Sequence, residues 1–206
     1  MAEALSPIVV KRNMVTPVVR VFSEAFQDDP LFSWLMPEEC MRRSLLPLFF
    51  NFRIRHGLNY GEVYVTSPEV EGAAIWIPHT QTDVSRWKMI HSGGLSFIRN
   101  AEQVTLQRLK TYGIYADELH HQYASFPHLS LFLIGVHPQK QGQGYAKVLL
   151  KSMFERLDRE KLACFLETQT PTNVVIYQKY GFTIKHHGKI PGTEIPHWAM
   201  VREPRE

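Results

Sequence analysis

The sequence predicts an α/β protein, in the α+β sense of helices laid on one sheet, and three observations carry that expectation. Short runs rich in Val, Ile, Phe, Tyr and Trp recur at residues 8–10, 60–66, 72–77, 128–136, 162–166, 182–184 and 197–201, which makes a sheet of about seven strands. Between them, apolar residues return at the three-to-four-residue spacing of a helix face. A length of 206 residues with 44% hydrophobic and 21% charged content suits one well-filled core, so residues 1–206 are expected to form a single domain.

Taken in order, Ile8-Val9-Val10 is β-prone, and Thr16-Pro17 predicts a helix start with Thr as cap and Pro at the first helical position. Val18, Val21, Phe22, Ala25 and Phe26 share one face of that helix. It should stop near Asp28-Asp29-Pro30, because the residue before a proline is pushed out of the helical region. Leu31 to Met36 then reads as an aromatic-rich connector, either core or one wall of a pocket. Pro37-Glu38-Glu39 opens a second helix to about His56, with Leu45, Leu46, Phe49, Phe50 and Ile54 on a broad buried face. Ser67-Pro68-Glu69 joins two strands as a hairpin. Residues 80–125 show only weak helical periodicity, and predict one or two helices and a mobile connector.

Residues 128–147 read as an apolar strand, a tight glycine-bearing loop and the first turn of a helix beginning near Gly142. Ala146, Leu149, Leu150, Met153 and Leu157 mark the apolar face of that helix. Leu162 to Leu166 is a short buried strand ending at Glu167-Thr168. A helix over about Asn173–Tyr180 is closed by Gly181, Phe182 to Ile184 returns as a strand, Pro191-Gly192 turns the chain, and His197 to Val201 closes the sheet.

Composition excludes several classes. The net charge is +3, from 23 basic and 20 acidic residues, with no polybasic block, so neither nucleic acid nor an anionic membrane is an expected partner. Cys40 and Cys164 form no CxxC pair and no secretory framework. The N-terminal Met-Ala-Glu-Ala-Leu-Ser-Pro has neither the basic nor the apolar region of a signal peptide, and no run approaches the ~18 apolar residues of a membrane span, so a cytoplasmic protein is expected. The 10 histidines include the adjacent pairs His120-His121 and His186-His187 rather than an i, i+4 pair, and no metal is expected.

The loop at Gln139 to Tyr145 is the first stretch with a chemical meaning. A helix start leaves backbone N–H groups without partners and carries partial positive charge, so it favours an anion. Gly142 and Gly144 let backbone amides approach a phosphate closely. A dinucleotide-binding loop is one reading, since Glu167 ends the next strand. Against it, Lys147 stands where the third glycine belongs, and too little chain follows for a second nucleotide-binding half.

The spacing Gln139-x-x-Gly142-x-Gly144 after an apolar strand resembles the acetyl-CoA loop of the GNAT acyltransferase superfamily. A second element stands at the distance that family shows, Leu166-Glu-Thr followed by Asn173, Tyr177 and Gly181-Phe182. Ala25-Phe26-Gln-Asp-Asp29-Pro30 and Gly72-Ala-Ala-Ile-Trp76 are further similar to one branch, puromycin N-acetyltransferase and its relatives. The chain departs from that branch in residues 80–125 and 186–196, so puromycin itself is not implied.

The resemblance implies a GNAT fold: one twisted, mostly antiparallel mixed sheet with a splayed central parallel strand pair. It implies acetyl-CoA as cosubstrate, held by Ile134, Val136, Gln139, Gln141, Gly142, Gln143, Gly144 and Tyr145, with Asn173 on the pantetheine arm. A helix cap is an equally physical role for Asn173. Tyr177 falls where the family places a general acid, and an ordinary tyrosine, with pKa near ~10, stays protonated at neutral pH. A packing tyrosine is the bland alternative. Glu167, beside the implied cleft, is the candidate general base or a surface carboxylate, with His197 and Glu194 as further candidates.

The expected activity is direct acetyl transfer to a primary amine of a small molecule, without a covalent acyl-enzyme, since no GxSxG elbow is present. A non-catalytic acyl-CoA-binding sensor of the same fold is the second reading. Either would be a monomer or homodimer.

Overall fold

The structure, a computed structural model, describes residues 6–205. The first five residues of the N-terminal stretch read above for targeting signals lie outside it. Seven strands form one sheet: β1 (Ile8–Val9), β2 (Glu62–Val65), β3 (Gly72–Pro78), β4 (His128–Val136), β5 (Ala163–Thr168), β6 (Thr183–Lys189) and β7 (Pro196–Arg202). Their order is β1-β2-β3-β4-β5-β7-β6. Every neighbouring pair is antiparallel except β4 with β5, which is parallel. This is the mixed α/β sheet expected from the sequence, with its parallel pair at the centre.

Two features open that pair. The β4–β5 ladder contains only His128 with Ala163, Leu129 with Cys164 and Ser130 with Phe165. Among the described residues, the edge of β4 that faces β5 has no ladder partner beyond Ser130. On its other edge the register with β3 passes from Leu133 opposite Ile75 to Leu131 opposite Trp76, which leaves Phe132 as the extra residue of a β-bulge. A bulge bends its strand and breaks the alternation of side chains. Leu129 and Leu131 pack on one face of the sheet, and past the bulge Ile134 takes that face, while Phe132 and Leu133 both pack on the other.

Helices cover both faces. On one lie α1 (Val15–Ala25), α2 (Pro30–Leu35), α3 (Glu39–Tyr60), α4 (Arg86–His91), α5 (Leu95–Asn100) and α6 (Gln103–Tyr123). The core under α1 to α3 is aromatic: Phe22, Phe26, Phe32, Phe49 and Phe50 form a continuous set with neighbouring ring centroids 5.3 to 6.0 Å apart. Such pairs add about 0.5–1.5 kcal/mol each beyond the area they bury. On the opposite face, α7 (Tyr145–Glu160) and α8 (Pro171–Lys179) bury Leu149, Leu150, Met153, Phe154, Leu157, Val174 and Tyr177 against Trp76, Cys164, Leu166 and Met200.

Several elements differ from expectation. The first helix begins at Val15, after a 3₁₀ turn at Arg12–Met14, so Pro17 stands third in the helix. Its missing N–H costs nothing there, because the first turn has no intrahelical acceptors. The connector after Asp29 is the helix α2. Asp29 caps it, its Oδ1 accepting from the N–H of Leu31 at 2.9 Å and of Phe32 at 3.3 Å, with Pro30 at the first helical position. Residues 80–125 hold three helices, with α6 spanning 21 residues. The helix after the glycine loop starts at Tyr145 rather than Gly142, and α8 starts at Pro171 rather than Asn173. Among the described residues, no helix is long and apolar enough to cross a membrane.

Arg42 locks the connector between α1 and α3. Although only 8% exposed, its guanidinium donates to the carbonyls of Gln27 (2.8 Å), Met36 (2.9 Å) and Pro37 (2.8 Å). Those contacts satisfy a buried cation and hold the residues that wall the cleft described next.

Candidate active site

Where β4 and β5 part, a cleft of about 460 Å³ opens. Its walls are α2, α3, α6, the unpaired stretch of β4, the end of β5 and one side of α8. Glu167, Asn173, Tyr177 and Ile134 line it. Val136, Gln139, Gln141, Gly142, Gln143, Gly144 and Tyr145 do not. They continue from the end of β4 into the glycine loop, outside the cleft.

That loop is built to leave amides exposed. Gly142 and Gly144 have φ of +75° and +89°, a left-handed conformation that side chains with a Cβ adopt only at a cost. Gln141 Nε2 donates to the Val136 carbonyl at 3.1 Å and Gln143 Nε2 to the Gln139 carbonyl at 3.2 Å, so these side chains brace the turn from within. Gly144 precedes α7 without a side-chain cap, and among the described residues the N–H groups of Gly142, Gln143 and Gly144 find no acceptor in the chain. The first N–H groups of α7 point the same way. Such a nest of donors fits a pyrophosphate.

The two proposed catalytic residues open onto the cleft from opposite faces of the sheet. Tyr177, on α8, is 7% exposed, and its ring packs 5.6 Å from that of Phe182. Its hydroxyl has no hydrogen bond among the described residues. Burial, and secondarily the nearby Cys164, raise its pKa well above the ordinary value of 10.0. Glu167 follows Leu166 on β5, and the strand alternation turns it toward α6. There its Oε1 lies 3.1 Å from Nε2 of the fully buried His197 on β7. Gln169 Nε2 donates to His197 Nδ1 at 3.0 Å, so the imidazole proton sits on Nε2 and is given to Glu167. The rings of Tyr112 and Tyr115, from α6, pack 6.0 and 5.2 Å from that of His197.

The structure separates the other candidates. His197 supports Glu167 from behind instead of facing the cleft. Glu194 is exposed, pairs with Lys189 and lies outside the cleft lining, so it is not part of this site. Asn173 is not a helix cap: Thr170 occupies that position, and Asn173 lies inside the first turn of α8 with its Nδ2 3.4 Å from Thr168 Oγ1.

Sequence reasoning missed Arg53, Ser130 and Gln169, and it did not assign the cleft-facing side of α6. Leu109, Tyr112, Gly113, Ala116, Asp117 and His120 of that helix line the cleft. Their spacing is that of one helix face, and it was readable as such, but the face is mixed in polarity because it borders a cavity. Arg53 signalled itself only as a lone charge within an otherwise apolar face.

Comparison with known proteins agrees with the architecture. A family model described as an acetyltransferase (GNAT) domain matches residues 104–184. An uncharacterized N-acetyltransferase of Schizosaccharomyces pombe is 32% identical over 76 residues, a match covering 36% of this chain and 31% of that protein. Among solved structures, a histone acetyltransferase HPA2 and related acetyltransferase from Corynebacterium glutamicum superposes with a TM-score of 0.65 at 21% identity, covering 98% of each chain. Arylalkylamine N-acetyltransferase 2 of Aedes aegypti gives 0.62 at 12% identity, covering 97% of this chain and 98% of its own. At these identities the structural likeness is one of fold. Over residues 104–184 the chain is similar to the GNAT acetyltransferase domain, and it spans about a third of the length of the curated relative it matches.

Proposed function

We propose that this protein is an acetyl-CoA-dependent N-acetyltransferase that moves the acetyl group directly onto a primary amine of a small molecule. One observation carries the reading: a single cleft at the β4–β5 splay is bordered by a carboxylate from one face of the sheet and a phenol hydroxyl from the other. The glycine-loop amides supply a pyrophosphate site. The pantetheine arm would then lie along the unpaired edge of β4, beside Ile134 and Val136, with Asn173 across from it.

In this reading Glu167 takes the proton of the incoming ammonium, directly or through water, and His197 keeps its carboxylate oriented. The amine nitrogen bonds to the thioester carbon while unpaired backbone N–H groups of β4 stabilise the developing oxyanion. The carbon–sulfur bond breaks and Tyr177 protonates the departing thiolate. The products are an amide and free CoA thiol; the second proton shed by the nitrogen restores Tyr177 through water, and Glu167 releases its proton to solvent. Tyr177 suits its task because burial keeps it protonated.

Thiol release measured with acetyl-CoA and a panel of primary amines tests the reading. Turnover is expected for at least one acceptor, with a Glu167→Gln variant losing the pH dependence set by the base. Tight CoA binding with no thiol release on any amine would instead support the sensor role.

A further inference from the structure

The cleft holds a cation that the transfer chemistry does not use. Arg53 extends from α3 so that its guanidinium carbon lies 4.4 Å from the ring centroid of Phe132, the bulge residue of β4. It also lies 5.2 Å from the ring of Phe49 and 5.4 Å from that of Phe52. Aromatic faces attract a cation but accept few of its five N–H donors. Among the described residues, Arg53 makes no hydrogen bond and no ion pair.

The other arginines that are not exposed behave differently. Arg42 bonds to three carbonyls, Arg108 to the Trp34 carbonyl, Arg156 to Glu62, and Arg202 to Asp158. Burial, opposed by Tyr112 and Asp117, draws the Arg53 pKa down to about 10, as expected of a cation short of partners. A second polar group on the same cleft is also unsatisfied: Ser130 is 4% exposed and its Oγ has no partner among the described residues.

The carboxylates around the cleft are committed or distant. Asp29 accepts the two N–H groups of α2, and Glu167 accepts from His197. Asp83 and Asp117 sit on the exposed rim, beyond ion-pair reach of Arg53. Carboxylates at the rim and at Glu167 favour an ammonium, whereas the interior beside Phe132 favours an anion. The anion is not the CoA pyrophosphate. The glycine loop begins more than four residues past Phe132, a separation of roughly 13 Å at ~3.3 Å per residue of strand.

We propose that Arg53 is the carboxylate receptor of the acceptor site, so that the amine acetylated by this protein is an amino acid or a related amino-carboxylate. This rests on the acetyl-transfer reading above. The guanidinium fork matches a carboxylate with two parallel hydrogen bonds, and the phenyl walls exclude the water that would weaken them.

The experiment uses matched acceptors with and without the carboxylate: phenylalanine and phenethylamine, tryptophan and tryptamine, 4-aminobutyrate and butylamine. Thiol release is followed with wild type, Arg53→Met, which keeps the apolar stem, and Arg53→Lys, which keeps charge without the fork. In parallel, calorimetry measures binding of the N-acetyl form of each compound to the CoA-loaded protein. Wild type is expected to prefer the carboxylated member of at least one pair. Arg53→Met should lower kcat/KM for that member roughly ten- to a hundredfold, as for a lost charge-assisted hydrogen bond, and change the carboxylate-free partner less than about twofold. Arg53→Lys should recover part of the loss.

Preference for the carboxylate-free member in every pair, or an equal loss on both members in Arg53→Met, overturns the proposal while leaving the transferase intact. N-acetyl carboxylates bound by wild type and at least about tenfold weaker by Arg53→Met, with no thiol release, would keep the receptor and remove the transferase. Absence of any carboxylate-dependent binding or turnover overturns the receptor outright.

Discussion

Replacing Tyr177 by Phe separates chemistry from packing more cleanly than any other change in this site. The phenyl ring stays, with its contact to Phe182 at 5.6 Å, and the lost hydroxyl has no hydrogen-bond partner among the described residues. No buried donor or acceptor is orphaned, so stability should change by less than about 1 kcal/mol. A general acid contributes typically 10²–10⁴-fold, and at about 1.36 kcal/mol per tenfold its removal raises the barrier by roughly 3–5 kcal/mol. The expected result is a fall of at least about a hundredfold in kcat with CoA affinity nearly unchanged. Because burial raises the folded pKa above 10.0, the acid form persists through neutral and moderately basic pH. The wild-type rate should therefore show no alkaline decline from Tyr177 below about pH 10. Steady-state thiol release, with urea melts on the same preparations, provides the assay. A kcat within about twofold of wild type in a variant of unchanged stability refutes the assignment.

Other consequences can be checked independently. Gly144→Ala places a Cβ on a residue with φ of +89°, a strain of about 1–2 kcal/mol, and should weaken CoA binding about tenfold by calorimetry; an unchanged Kd counts against the loop as the pyrophosphate site. Arg42→Met removes three hydrogen bonds to backbone carbonyls, one of them buried and two partly buried, and should lower stability in urea by about 3 kcal/mol, with a loss under about 1 kcal/mol arguing that the connector is held by its apolar contacts alone. Asp29 has a folded pKa raised by burial, against the lowering from the N–H groups of Phe32 and Leu31. Its folded form thus holds the proton more tightly than the unfolded one, and its contribution to stability falls as pH rises from the unfolded value of 3.8 through the raised value. Asp29→Asn keeps the cap acceptor without the buried charge, so it should be at least as stable as wild type at neutral pH and vary less with pH below it; a less stable variant at neutral pH would contradict this.

Elements whose signals lie within a few residues were legible. The hairpin of β2 and β3, the strand–loop–helix at 128–160 and the strand ending at Glu167 all declare themselves through side-chain period and glycine placement. Helix α2 was missed although Asp29-Pro30 is a cap followed by a first-turn proline, because a proline ending one helix and opening the next looks the same from the preceding side. Helix α6 was blurred for a different reason. Its inner face borders a cavity, so Tyr112, Gly113, Asp117 and His120 stand where a core helix would show aliphatic residues.

By itself the sequence determined the α/β class, the order of most elements, the exposed amides of the glycine loop, and the candidacy of Tyr177 and Glu167. The first three follow from backbone geometry and residue type over short spans, and the last from the resemblance of residues 166–182 to the GNAT pattern. Only the tertiary structure decided that His197 and Gln169 hold Glu167, that Asn173 is not a cap, that Glu194 stands outside the site, and that Arg53 lies against Phe132 without a partner. The first and the last of those relations join residues 28 to 79 positions apart, and they depend on strand order and on one bulge in β4. A register change of that kind alters which side chains face each other without leaving a periodic trace in the chain.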